Sequence, residues 1–333
     1  MDRLPKRFIF YSLRRKETSG KFRNERLTKM KKLISLALIL VMVLSLAACG
    51  GASEPGATAA PATEAPAAAA PAGDVPAGLE DGVLTIAMEC AYAPYNWTQS
   101  DDSNGAVPIA NVPGSYANGY DVMIGKKIAE ANGWGIEVVA CEWGGLTPAL
   151  DAGTIDVAIA GQSMTAERMA EVAMAGPDYY ATIVCVVKAA SSLANAASIS
   201  ELSGTCTSQS GTIWYDSCLP QIDGADIQAP AADAPAMIMA LESGMVDFIC
   251  TDLPTANGAV AKNPDLVVLN FSGTDGDFQF ATEEERAENV NIGVSVKQGN
   301  TELQEIMDKY LDAMNEDDFN KMMDDAIAIQ PEI

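Results

Sequence analysis

Residues 151–180 limit the folds open to this chain more than any other segment. After a polar turn at 151–154, residues 155–160 form an apolar run that contains one acid. Such a run predicts a buried strand of a parallel sheet. The loop at 161–164 then follows the strand's carboxyl end, where open α/β sheets bind ligands, and Thr165 is the predicted N-cap of a short helix.

The most informative side chain of this segment is Arg168, on the first turn of the predicted helix. Only two arginines follow residue 49, Arg168 and Arg286. A guanidinium at a strand end can bind a carboxylate through two parallel hydrogen bonds, helped by loop N–H groups and the positive end of the helix. The alternative is a surface ion pair with Glu171 or another acid. The spacing alone does not decide between the two.

Three motifs of this region keep a fixed order: Gly153-x-Ile155-Asp156, Gly161-x-Ser163-x-Thr165-x-Glu167-Arg168 and Pro177-x-Tyr179-Tyr180. Together they resemble the signature of extracellular solute-binding proteins of family 3, the polar-amino-acid receptors of ABC importers. The resemblance runs from residue 79 to the C-terminus, although residues 173–176 depart from the family's aspartate-phenylalanine-serine type run. It implies a type II periplasmic-binding-protein-like fold, in which two α/β lobes are joined by a two-segment hinge.

The resemblance also implies which residues bind the ligand. An acid and an aromatic approach the ligand side chain, a second aromatic stacks on the ligand, and an acid of lobe 2 binds the α-ammonium group. Loop groups and the arginine bind the α-carboxylate. In this order the residues are Glu89, Tyr92, Trp143, Asp252, Gly161, Ser163, Arg168, Thr212 and the N–H of Ile213. A core role for Trp143, and simple helix N-cap roles for Thr212 and Asp252, are the alternatives.

The composition excludes several kinds of chemistry. The chain has no histidine, which removes Ser-His-Asp and Cys-His catalysis as well as His-ligated zinc and haem. Its seven cysteines contain no Cys-x-x-Cys pair, and the acidic run at 101–105 lacks most of a calcium-loop pattern. We therefore expect no catalytic residue, no metal and no cofactor, and a solvated loop at 98–118. Cys206 and Cys218 are a candidate disulfide.

Charge is distributed unevenly along the chain. The formal net charge is −24, but 12 of the 21 Lys and Arg lie in residues 1–32, whereas only three of the 45 acids precede Cys49. From Cys49 onward the balance is 9 − 42 = −33. A surface this acidic repels nucleic acid and anionic lipid. We expect no nucleic-acid partner.

The N-terminal region has the pattern of an export signal. Residues 1–29 are a basic extension, Met30-Lys31-Lys32 is a basic n-region, and 33–48 is an apolar stretch too short to span a bilayer comfortably. Leu46-Ala47-Ala48-Cys49-Gly50 resembles a lipobox, which implies lipidation of Cys49; a plain secretory signal is the alternative. Residues 49–78, rich in Ala and Pro, are expected to be a disordered tether.

These features predict a substrate-binding lipoprotein of an amino acid ABC importer. Lobe 1 is predicted at 79–184 and 291–333 and lobe 2 at 185–290, with crossings at 182–188 and 291–299. A free amino acid, preferably polar or cationic, would be captured between the lobes and delivered to a permease and its ATPase. The protein is expected to be a monomer, anchored by lipid to the cell membrane at the cell surface or in the periplasm.

Two other functions fit the same fold. One is an enzyme resembling cyclohexadienyl dehydratase, although no poised acid–base pair is evident and a tethered lipoprotein argues against metabolism. The other is a ligand-sensing receptor domain, which would normally require a transmembrane helix or kinase segment after Ile333.

The lipobox generates the first prediction. If Cys49 carries the lipid, Cys49→Ala will release the protein from membranes or block its processing, and mature wild-type protein will lack residues 1–48. Cell fractionation and mass spectrometry of the mature N-terminus measure both. Unchanged membrane retention with residues 1–48 still attached would contradict the lipoprotein assignment.

Overall fold

Two five-stranded sheets organise the part of the chain that the computed structural model describes, namely Pro76 and residues 78–331. The signal peptide at 1–48, the lipidation site Cys49 and almost all of the tether at 49–78 lie outside these residues. The mixed α/β class expected from the sequence is confirmed. None of the helices between residues 78 and 331 is long and apolar enough to cross a membrane.

The first sheet contains β1 (Val83–Met88), β6 (Gly135–Ala140), β7 (Val157–Ser163), β8 (Ala173–Tyr179) and β14 (Ile292–Val296). Their order is β6-β1-β7-β14-β8. β1 is parallel to β6 and β7, whereas β14 is antiparallel to β7 and β8. All seven residues of β7 are buried, as expected for the apolar run at 155–160. The strand begins two residues later than that run and includes residues 161–163 of the expected loop.

The second sheet repeats this arrangement with β9 (Ile183–Lys188), β10 (Ser203–Thr207), β11 (Gly224–Ile227), β12 (Phe248–Asp252) and β13 (Leu266–Leu269). Its order is β11-β10-β12-β9-β13, and β9 is the strand antiparallel to both neighbours. The chain leaves the first sheet through residues 180–182 and returns to it at residue 291. Most of the two segments expected as crossings is therefore strand, because β9 and β14 pair on both sides.

Eight α-helices cover the sheets in the described chain. Those of the first sheet are α1 (Tyr120–Asn132), α2 (Leu146–Ala152), α3 (Ala166–Glu171), α7 (Thr301–Leu311) and α8 (Glu316–Ile329). Those of the second are α4 (Ala234–Ser243), α5 (Leu253–Lys262) and α6 (Glu283–Val290). Side chains of β9 alternate between two apolar clusters, with Val184 and Val186 in one and Cys185 and Val187 in the other. Both faces of this strand are thus buried, which explains its continuous apolar sequence.

The polar segment at 98–118 is not a plain loop. Together with its flanks it forms a small sheet, ordered β2-β3-β5-β4, from β2 (Ala91–Tyr92), β3 (Asn96–Gln99), β4 (Val107–Pro108) and β5 (Tyr116–Asn118). Its backbone groups pair within the sheet, so its polar composition did not prevent strand formation. The segment is continuous with the first sheet through a bridge between Ile109 and Val138.

Gly119 joins this small sheet to α1 and generates the second prediction. Its φ is 126°, and a Cβ there would lie 2.3 Å from the carbonyl oxygen of Tyr95. Gly119→Ala should lower the free energy of unfolding by about 3 kcal/mol or more, since backbone strain and a steric clash add. Gly133 ends α1 with φ 70° and has open space around it, so Gly133→Ala should cost only about 1 kcal/mol. Urea denaturation of both variants measures the difference, and equal losses would contradict the clash.

Candidate ligand-binding site

A cavity of about 790 Å³ lies at the carboxyl ends of parallel strands of both sheets. Tyr92 follows β1, Trp143 follows β6, and Gly161 and Ser163 end β7. The segment after β10, in the second sheet, also lines the cavity. Seven of the nine residues that the sequence assigned to ligand binding line the cavity: Tyr92, Trp143, Gly161, Ser163, Arg168, Thr212 and Ile213.

Arg168 lies on the first turn of α3, where the Thr165 hydroxyl caps the helix by accepting a hydrogen bond from the Arg168 N–H at 3.1 Å. The guanidinium donates to the backbone oxygen of Ser163 and packs over the Trp143 ring, 5.3 Å from its centroid. Burial lowers the pKa of Arg168, while Glu167 and Glu171 oppose that shift. Between residues 78 and 331 no carboxylate forms an ion pair with Arg168. The surface ion pair with Glu171 is therefore not formed.

Trp143 approaches the backbone of the second sheet's loop closely. A Cβ at Gly211, whose φ is 69°, would lie 3.2 Å from the indole nitrogen. Thr212 donates its hydroxyl to the Gln209 carbonyl at 2.8 Å, which closes a turn. The helix expected after residue 210 is a π-helical turn at Trp214–Cys218, and the Ile213 side chain packs in the second sheet's core.

Asp252 does not line the cavity. It is completely buried at the N-cap of α5, where Oδ1 accepts from the Thr255 N–H at 2.9 Å. Its Oδ2 accepts from the Tyr92 hydroxyl at 2.7 Å and the Thr255 hydroxyl at 3.0 Å. Burial raises the pKa of Asp252, and these hydrogen bonds act against that rise. The capping role that the sequence left as an alternative is thus present.

Glu89, the other predicted residue outside the cavity lining, also bridges the two sheets. Its Oε2 accepts from the Gln209 amide at 3.4 Å. Burial raises the pKa of Glu89 to about 7, the hydrogen bond from Gln209 lowers it, and Asp233 raises it further. Glu89–Gln209 and Tyr92–Asp252 therefore form two polar contacts between residues carried by different sheets.

Several residues that line the cavity were not predicted from the sequence. Gln209, only 3 % exposed, lies just after β10 and three residues before Thr212, so its position at a strand end was a usable signal. An acidic rim was missed as well, because its residues come from three separate segments and no local motif links them. The rim consists of the exposed acids Asp151, Glu167, Glu171 and Asp216.

The positions of the acidic and cysteine side chains bear on metal and disulfide chemistry. In the described chain no group of three or more Cys, Asp or Glu side chains is arranged to hold a metal. Cys206 and Cys218 are both free thiols rather than a disulfide. The Cys218 thiol instead contacts Cys250, which also contacts Cys185, so these cysteines pack together in the second sheet's core.

Tyr92 and its neighbour Tyr95 generate the third prediction. The rings stack at 4.9 Å, but only the Tyr92 hydroxyl has a hydrogen-bond partner. Tyr92→Phe removes a hydrogen bond to a buried carboxylate and should lower the free energy of unfolding by about 1.5–3 kcal/mol. Tyr95→Phe removes a buried hydroxyl without a partner and should be neutral or stabilising. Urea denaturation at pH 7 without added ligand compares the two, and equal losses would show that the Tyr92–Asp252 bond contributes nothing.

The chain is similar to known proteins in sequence and in fold. The model of the bacterial extracellular solute-binding proteins, family 3, matches residues 84–326. A probable histidine-binding protein of Campylobacter jejuni is 29% identical over 203 residues, covering 60% of this chain and 72% of the relative.

Two solved structures share the fold. An amino acid ABC transporter substrate-binding protein from Streptococcus pneumoniae, bound to L-arginine, is 25% identical with a TM-score of 0.58 and covers 74% of this chain and 95% of its own. An ancestral amino acid-binding protein, described as a precursor of cyclohexadienyl dehydratase, is 23% identical with a TM-score of 0.59 and covers 75% and 97%. The type II fold expected from the sequence is confirmed. The chain belongs to the bacterial extracellular solute-binding proteins, family 3.

Proposed function

We propose that this protein is the substrate-binding lipoprotein of an amino acid ABC importer, and that it captures one free amino acid in the cavity between two lobes. The lobes are residues 79–184 with 291–333, and 185–290. The observation that carries the proposal is the guanidinium of Arg168, which faces the cavity without a carboxylate partner. A partly buried cation without a counter-ion favours an anionic ligand group, and a planar fork of N–H donors suits a carboxylate.

The rest of the α-carboxylate site is built around this arginine. Trp143 supports the guanidinium plane, and the segment at Gly211 and Thr212 brings backbone N–H groups to the cavity from the opposite sheet. Gly161 and Ser163 supply the lobe 1 wall. We assign the α-carboxylate of the ligand to this position because a cation and loop segments of both proposed lobes meet there at the cavity.

Asp252 is the proposed acceptor for the α-ammonium group. In this structure the Tyr92 hydroxyl donates to its carboxylate, so a ligand ammonium group would compete with or supplement that donor. The Tyr92 side chain also lines the cavity, so this hydrogen bond links the cavity wall to Asp252. For the ligand ammonium group to reach the carboxylate, the Tyr92 ring has to move.

A polar or cationic side chain is favoured by the local charge. The acidic rim and Glu89 surround a cavity whose lining contains one basic residue, Arg168. Such a field attracts cations and raises their association rate. The relatives point the same way, since one is named a probable histidine-binding protein and one structure holds L-arginine.

Ligand binding is proposed to close the lobes. The hydrogen bonds Tyr92–Asp252 and Glu89–Gln209 each join a residue of one proposed lobe to a residue of the other, which supports a form in which the two half-sites lie close together. Because Arg168 lies on one proposed lobe and Asp252, the proposed acceptor for the ammonium group, lies on the other, a zwitterion that binds both stabilises the closed form. The permease and its ATPase would then read that form. A lipid on Cys49 and the tether would keep the monomer at the cell surface or in the periplasm.

Arg168 generates the fourth prediction, which tests this function. A screen of the twenty amino acids by thermal shift identifies the ligand, and calorimetry then measures its affinity. Arg168→Ala should weaken binding by about 2–5 kcal/mol, because the ligand carboxylate loses its charged partner in a site shielded from water. Arg168→Lys should restore only part of the loss, since an ammonium cannot form the bidentate pair.

Arg286→Ala is the matched control, because it removes the other arginine of the folded body at a site away from the cavity, where it pairs with Asp277 at 2.9 Å. Its ligand affinity should equal that of wild type. Asp252→Asn should also weaken amino acid binding while keeping the helix capped, since Asn is a good N-cap. Near-normal affinity in both Arg168→Ala and Asp252→Asn would place the site elsewhere. Recovery of a chemically altered ligand would favour the dehydratase-like enzyme.

A further inference from the structure

The buried side-chain oxygens that lack a hydrogen-bond partner are concentrated beside the first sheet. Between residues 78 and 331 there are five such atoms, all on side chains that are 0 % exposed. They are the Tyr95 hydroxyl, Asn96 Oδ1, Asp121 Oδ1 and both carboxylate oxygens of Asp178. Buried polar atoms are nearly always paired with protein or bound solvent, so a cluster of unpaired oxygens indicates a missing partner.

Aromatic packing brings these residues together. Each polar side chain has a tyrosine next to it in the sequence, and the three tyrosine rings contact one another edge-on with centroids 5.5–6.2 Å apart. The three pairs are Tyr95-Asn96 at β3, Tyr120-Asp121 at the start of α1, and Asp178-Tyr179 at the end of β8. The Asn96 amide donates to Asp121 Oδ2 at 2.7 Å, and the Tyr120 hydroxyl donates to the Asp178 carbonyl. The cluster is therefore a fixed part of the packed core.

This cluster carries two carboxylates and no compensating cation. The two ion pairs of the described chain, Arg286–Asp277 and Lys321–Asp325, lie elsewhere. Burial raises the pKa of Asp121 to about 7 and that of Asp178 well above its ordinary value, with the Asp121 charge adding to the second shift. Asp121 accepts hydrogen bonds from the Asn96 amide and the Gly161 N–H, but neither donor is a cation. Leaving either carboxylate charged inside the protein without a cation would be costly.

Three partners can satisfy the cluster in different ways. Water can donate hydrogen bonds to the oxygens but leaves both negative charges uncompensated. Protons can neutralise the charges, and each O–H can also donate to one neighbouring oxygen. At pH 8, however, an acid with a pKa of about 7, such as Asp121, is mostly ionised, so a negative charge would remain there. A hard metal cation compensates the charge and attracts every oxygen of the set at once. Carboxylate and amide oxygens are also the ligands that such cations prefer.

We propose that Asp121, Asp178 and Asn96 form a buried binding site for a hard metal cation, and that Ca²⁺ matches its charge. Ca²⁺ takes six to eight oxygen ligands, so water or backbone oxygens complete the shell. With only two carboxylates the site differs from acid-rich metal sites, because an amide oxygen takes the place of a third acid. The Tyr95 hydroxyl is not one of the proposed ligands, because the charge of Asp252 raises the pKa of Tyr95 more strongly than the charge of Asp121 does.

The cation would stabilise the floor of the ligand cavity without touching the ligand. It would hold together β3, α1 and β8, and Tyr95 stacks on Tyr92, which lines the cavity. The inference does not depend on the proposed transport function, since it concerns the folded state of one lobe. Metal binding and amino acid binding can be measured separately.

The test uses the purified protein at pH 8, first as isolated and then after chelator treatment. Elemental analysis of the isolated protein should find about one equivalent of calcium. After chelation, added Ca²⁺ should raise the Tm by about 5–10 °C at a hundredfold excess over Kd. Sodium chloride and choline chloride at matched ionic strength separate a sodium effect from simple screening. Terbium should bind in place of calcium and luminesce on tyrosine excitation, because three tyrosines surround the site.

Asp178→Asn keeps the shape of the side chain and removes its charge, so it should abolish both the Ca²⁺-dependent Tm shift and the terbium signal. Asp223→Asn, which removes an exposed acid, is the matched control and should change neither. A shift with sodium alone that Asp178→Asn abolishes supports the site with a monovalent occupant. If wild-type protein holds no metal and its Tm is equal in calcium, sodium and choline, the carboxyls carry protons and the proposal fails. It also fails if Asp223→Asn loses as much as Asp178→Asn, since binding would then be superficial.

Discussion

The buried carboxylate of Asp252 connects the parts of this structure that matter for ligand binding. It ends β12, caps α5 through Thr255 and receives the Tyr92 hydroxyl from the loop that follows β1. With fewer hydrogen-bond donors, this fully buried acid would strongly destabilise the fold. Its hydrogen bonds therefore fix the position of the loop after β1 relative to the second sheet. The same residue is the proposed acceptor for the ligand's ammonium group, and structural and binding roles therefore compete for one side chain.

The scarcity of basic residues determines the orientation that we propose for the ligand in the site. Nine basic side chains face 42 acids from Cys49 onward, and only one of those nine lines the cavity. Where acids are this abundant, the single guanidinium distinguishes one part of the cavity from the rest, whereas a carboxylate does not. The orientation proposed for the zwitterion follows from this contrast, with the carboxylate at Arg168 and the cationic groups toward Asp252, Glu89 and the acidic rim. The proposed cation site reflects the same excess of acid inside the core.

Repetition of one sheet topology explains the two connections between the sheets. In each sheet the strand antiparallel to its neighbours, β14 in the first and β9 in the second, is also where the chain enters from the other sheet. The entry strands pair on both sides, so the connections reduce to residues 180–182 and 291. Short connections at two neighbouring points suit a hinge between the proposed lobes.

Much of the fold could be predicted from the sequence, because strands buried on both faces and helices with one apolar stripe have distinct periodicities. The strand Val157–Ser163 overlaps the continuous apolar run at 155–160, and the motif around Arg168 placed a cation at a strand end. Ile183–Lys188 was expected as a crossing, yet it is a strand buried on both faces. Strand formation at 98–118 was not predictable, since its polar residues pair through backbone groups that composition does not reveal. The π-helical turn at Trp214–Cys218 likewise had no distinct pattern.

The sequence by itself determined the fold class and the family, and it named seven of the residues that line the cavity. These depend on local periodicity and on motifs of fixed spacing. Only the tertiary structure decided which charges meet. It joined Tyr92 to Asp252 across 160 residues and Gln209 to Glu89 across 120, and it left Arg168 without an acid. It also placed Asn96, Asp121 and Asp178 together in the core, each with a side-chain oxygen that has no hydrogen-bond partner. The physical reason is that burial and neighbouring charge, which set the state of an ionisable group, arise from contacts between distant segments.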